Sequence, residues 1–142
     1  MGKKLIATQK SYNEAFKKHM HAYISLKDEC YYSRCMLLCY SVECGLKCLI
    51  MKNNRIYYTT QANEKLSKVL GTHDVKILLR ELRQAGNYLL ENTVTMKNET
   101  VNSENYHQVY RYCIPIREDK LQKMKSYEET LVDIVSWLRE EI

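Results

Sequence analysis

The sequence predicts an all-α fold, an up-and-down bundle of four to five helices forming a single domain over residues 1–142, and three observations carry that expectation. Cys30 to Met51 is a 22-residue apolar run with no proline and with Gly45 as its only glycine. The segments on either side repeat apolar residues every three to four positions, the period of a helix with one buried face. One proline and four glycines in 142 residues are too few for a turn-rich β-fold.

Taken in order, the first element is an amphipathic helix from about residue 5 or 10 to residue 27, with Tyr12, Phe16, Met20, Tyr23 and Leu26 on its apolar stripe. Ser11 and Glu14 have the spacing of a capping box that would start it. His19 and His21 are two apart, so they point to different sides and do not form a joint metal site.

The second element is the apolar run, about 30 Å long as a helix. Arg34, Glu43 and Lys47 within it exclude a membrane span, because intramembrane charges are costly. An all-round apolar helix outside a membrane is one covered by neighbours on several sides, so this is the core helix. Glu43 and Lys47 stand four apart with the acid first, the favourable order for a helical ion pair. With Met36 and Tyr40 they mark the strip where the helix meets water or a partner.

Five of the six cysteines, Cys30, Cys35, Cys39, Cys44 and Cys48, lie in this run at alternating spacings of five and four, and Cys113 stands apart. That spacing matches no metal box, so the thiols are expected to fill the core, and neither a metal nor a cofactor is expected. Abundant thiols without a signal peptide or stop-transfer segment predict a cytoplasmic protein. The net charge of +5 is spread along the chain and permits a phosphate-bearing ligand without requiring one.

After a polar loop, Ala62 to Leu70 is expected to add a helical turn or two. Thr72 then has the position of an N-cap for a third helix carrying Val75, Leu78, Leu79 and Leu82, with His73 in its first turn and Gly86 as its stop. Residues 87–96 are expected to extend helically, and residues 98–103 to turn. A short helix from about Ser103 places Tyr106, Val109, Tyr110 and Cys113 on one face and must end before Pro115. The last helix, from about Asp119 to Glu141, buries Leu121, Met124, Leu131, Ile134, Val135 and Leu138, with Trp137 partly covered.

Three pieces occur in a particular order: Ser41-Val42-Glu43-Cys44-Gly45-Leu46-Lys47, then His73-Asp74-Val75-Lys76-Ile77-Leu78, then Tyr110-Arg111-Tyr112 ahead of Pro115. Over roughly residues 10–140 this arrangement resembles the HEPN family (higher eukaryotes and prokaryotes nucleotide-binding). The resemblance implies a helical bundle, a homodimer, and a role in nucleotide or RNA biology in toxin–antitoxin, defence or nucleotidyltransferase-associated systems. Active members that are metal-independent ribonucleases carry Arg-x4-6-His. Here none of the seven arginines has a histidine at that separation, so the standard ribonuclease motif is absent.

The expectation is therefore a noncatalytic domain that binds a nucleotide, RNA or a partner protein such as a nucleotidyltransferase or antitoxin. Glu43, Lys47, His73, Asp74, Arg111 and Tyr112 are its candidate surface. One alternative is a divergent ribonuclease using His73 or His107 with Arg111 across a dimer; Lys68 and His73 have the motif's gap but lie outside its place. Another is a structural interaction module in which Glu43 and Arg111 form a buried ion pair.

Overall fold

The computed structural model describes residues 5–142, and they are mostly helical. Six α-helices occur among them: α1 (Gln9–Ser25), α2 (Tyr31–Asn53), α3 (Glu64–Leu70), α4 (Val75–Glu81), α5 (Tyr106–Tyr112) and α6 (Leu121–Glu141). The expected four to five helices become six because α3 and α4 are separate short helices around Gly71. Among the described residues no helix is long and apolar enough to cross a membrane.

The central run is the core helix. Leu46 to Met51 are buried without a break, which requires cover on every side of α2. α1 lies antiparallel along it, and the fully buried Ser41 hydroxyl donates to the Phe16 carbonyl at 2.7 Å. α6 supplies a second wall through Leu131, Ile134, Val135 and Leu138. Gly45 sits where the three helices meet: a Cβ there would lie 2.7 Å from Leu138 Cδ1 and 2.8 Å from Phe16 Cδ1. The expected packing role holds for Cys35, Cys39 and Cys48, which are buried, whereas Cys30 and Cys113 are exposed.

Several local signals resolve differently from the expectation. α1 begins earlier, with Thr8 as its cap: Thr8 and Ser11 exchange hydrogen bonds in a capping box, and Glu14 takes no part. Thr72 is not the cap of α4. Its hydroxyl accepts from the Asp74 N–H at 3.1 Å, and Asp74 caps the helix by accepting from the Lys76 N–H at 2.9 Å. α4 stops at Glu81, before Gly86, where the chain turns through a left-handed Arg83 (φ 58°).

The expected helical extension over residues 87–96 does not occur: Asn87 closes a 3₁₀ turn from Ala85, and residues 88–96 are not helical. Thr93 and Thr95 are buried while Val94 is less so, an alternation of period two that a strand satisfies and a helix does not. Thr93 and Val94 form β1, pairing antiparallel with Thr100 and Val101 of β2 around a left-handed Asn98. The Ile116 segment joins the same hairpin, with Arg117 N–H bonded to the Val94 carbonyl and Met96 N–H to that of Pro115.

α5 starts at Tyr106 rather than Ser103 and buries Tyr106, Val109 and Tyr110 against α2. The Tyr106 ring stacks on Tyr127 of α6 at 3.6 Å between centroids. Cys113 lies off the buried stripe as a left-handed C-cap (φ 52°). α6 follows a 3₁₀ turn at Glu118–Lys120, and Leu121 at its start is exposed.

Candidate functional site

α2 presents Glu43 and Lys47 on successive turns at the edge facing α4 and α5. The Lys47 Nζ lies 3.3 Å from Glu43 Oε2, with the two side chains only 6% and 15% exposed. A lysine buried to that degree depends on its carboxylate partner, because an ammonium removed from water is costly unless paired.

The loop before α4 supplies the next group. Asp74 is fixed twice, as the helix cap and as acceptor of a 2.6 Å hydrogen bond from Ser103 Oγ ahead of α5. His73, immediately before it, is thereby held over α2, where its Nδ1–H donates to Glu43 Oε1 at 2.7 Å. The carboxylate selects the tautomer and leaves Nε2 as the ring nitrogen available to a ligand. More than half of the His73 side chain is open to solvent.

α5 contributes His107, whose ring centroid is 5.0 Å from that of His73. Its Nδ1 is buried without a hydrogen-bond partner among the described residues. Burial chiefly holds its basicity below the ordinary imidazole value, the nearby His73 and Arg111 adding to the effect and Glu43 opposing it. Arg111, one turn further along α5, is exposed; its guanidinium lies 5.7 Å over the Tyr112 ring and makes no ion pair among the described residues.

Of the candidate residues, Glu43, Lys47 and His73 are therefore linked directly, with Arg111 at the edge of the same face. Asp74 serves the site through position, since its Oδ1 accepts from both the Lys76 N–H and the Ser103 hydroxyl. Tyr112 is peripheral and largely exposed. The Glu43–Arg111 ion pair of the structural-module alternative does not form, because Lys47 and His73 between them take both carboxylate oxygens. Lys68 pairs with Glu64 at 3.9 Å instead of joining His73. His107 belongs to the site although it entered the sequence reading only through the ribonuclease alternative; its four-residue spacing from Arg111 was the available signal.

Chemically, the face combines one anionic oxygen pair with a lysine, an arginine and two imidazoles, a set suited to holding an anion or moving a proton. Among the described residues no three His, Cys, Asp or Glu side chains converge as a metal-holding group. A separate cavity of about 690 Å³ lies between α1, the start of α2 and α6. On its wall the Glu128 carboxylate accepts from Tyr23 Oη at 2.6 Å and Tyr31 Oη at 3.0 Å.

Comparison with family models, with curated proteins and with solved structures finds no match to this chain.

Proposed function

We propose that the chain is a noncatalytic HEPN-like domain that binds a phosphate-bearing ligand, a nucleotide or RNA, on the face built from Glu43, His73, His107 and Arg111. The observation that carries this reading is the approach of the two imidazoles to 5.0 Å beside the unpaired Arg111. Such groups donate charge-assisted hydrogen bonds to phosphate oxygens. Glu43 fits the role of orienting His73 rather than repelling the ligand, because it is already shared with Lys47. By the family resemblance the domain acts as a homodimer with a nucleotidyltransferase or antitoxin partner. The test is titration of labelled nucleotides and a mixed RNA pool into the purified protein at several salt concentrations. Micromolar binding that weakens with salt and is lost in His73→Ala and Arg111→Ala is expected. Absence of binding to both ligands at micromolar concentration overturns the reading.

One observation favours a second reading, RNA cleavage. His107 Nδ1 has no hydrogen-bond partner among the described residues and stands beside a carboxylate-oriented His73, an arrangement in which one imidazole can accept a proton while the other donates one. The 2′-hydroxyl would be the proton source and the 5′-oxygen its destination, with Arg111 facing the phosphate charge. Cleavage that survives chelator and disappears in His73→Ala and in His107→Ala supports it. Cleavage unchanged in both variants assigns the activity to a contaminant.

A further inference from the structure

Resting on the anion-binding reading, we propose that this face takes up a proton on His107 as it binds an anion, so that its affinity rises as the pH falls. Three parts of the fold bring charged or titratable groups to the ring. α2 brings Glu43 and Lys47, the loop before α4 brings His73 and Asp74, and α5 itself brings Arg111. Both acids are already engaged, Glu43 by Lys47 and His73, and Asp74 by the Lys76 N–H and Ser103. In the free protein His107 therefore stands near the unpaired Arg111 and makes no hydrogen bond to a carboxylate among the described residues.

Geometry decides which state of the ring each condition favours. With Nδ1 buried and unpartnered, a second ring proton finds no acceptor on the inner side. A positive His107 also meets the field of the unpaired Arg111 one turn further along α5, with the His73 ring packed at 5.0 Å in place of water on that side. The free face thus favours a neutral ring. An anion seated between His73 and Arg111 supplies the negative charge that the site lacks, and an imidazolium Nε2–H can donate to it. The anion and the proton each favour the other, which is thermodynamic linkage and holds in both directions.

Sulfate is the suitable probe, because it stays a dianion across the range in which imidazoles titrate. Histidine ring signals of the full chain would be followed by NMR during sulfate titrations at several pH values, with sodium chloride holding ionic strength constant. The expected result is tighter sulfate binding at lower pH, by at most about tenfold per pH unit for one proton taken up. His107 ring signals should move toward the imidazolium position on adding sulfate at neutral pH, and His107→Gln should bind with a flatter pH dependence. Sulfate binding that is independent of pH, or a dependence unchanged in His107→Gln, overturns the proton coupling and leaves the anion site standing. Absence of binding at every pH overturns the anion site and the coupling with it.

Discussion

Glu43 and His73, thirty residues apart in the chain, meet at 2.7 Å, and the same carboxylate holds Lys47 on its other oxygen. Removing Glu43 therefore strands a buried ammonium as well as freeing the imidazole. Glu43→Ala is expected to destabilise the fold by about 3 kcal/mol. Glu43→Gln, which keeps an oxygen for one partner, should cost less. His73→Ala should change stability little, since that ring is largely exposed. Chemical denaturation of the three variants checks the order.

Gly45→Ala tests the three-helix junction. Alanine raises helix propensity by about 1 kcal/mol, which acts in favour of the variant. Against it, the new methyl meets Leu138 and Phe16 well inside contact distance, and both are buried. Overpacking should win, leaving the variant about 1–2 kcal/mol less stable by thermal or denaturant unfolding.

The depressed basicity of His107 gives stability a sign with pH. Its folded value lies below the ordinary 6.5, so as pH falls through and below 6.5 the unfolded chain takes up the proton before the folded chain does. The contribution of this residue is thus full above pH 6.5 and declines as the solution is acidified. His107→Gln should lose less stability between neutral pH and mild acid than the parent does, as read by denaturant midpoints at each pH.

Thiol chemistry should divide the six cysteines. Burial pushes Cys35 up to about 12 and Cys44 up to about 11, and raises Cys39 and Cys48 as well, so these four hold little thiolate near neutral pH. Cys30 and Cys113 are exposed. Alkylation of the native protein should label those two rapidly, and the other four should follow only on unfolding, as mass spectrometry would count.

How much of this was legible in the sequence depended on the range of the signal. α1 and α6 were readable because their buried faces repeat over four or more turns, with Phe16, Leu131 and Leu138 in the core as that period demands, and α2 because its apolar run is unbroken. The Glu43–Lys47 pair was readable because it lies within one helix. Residues 87–96 were not, since Val94 and Met96 pair with a segment that arrives only with Pro115 to Arg117. The cap of α4 was misplaced by two residues because Thr72 and Asp74 are both competent acceptors, and only the contact with Ser103 distinguishes them. The meeting of His73 with His107 was invisible for the same reason: no local pattern encodes a contact between two loops' worth of separated chain.

The hydrogen bond from Ser103 to Asp74 has a consequence for assembly order. Between α4 and α5 lie 24 residues without an α-helix, the β1–β2 hairpin among them, and closing so long a connection costs entropy that packing must offset. Glu43 and the α4 cap can bring His73 to α2 on their own, whereas Ser103 completes its support and His107 joins it only with the hairpin and α5 docked. A chain arrested with α1, α2 and α6 packed would look largely folded by its helical content and would still lack the paired imidazoles. The ring signals of those two histidines therefore report the completed molecule, and circular dichroism alone does not.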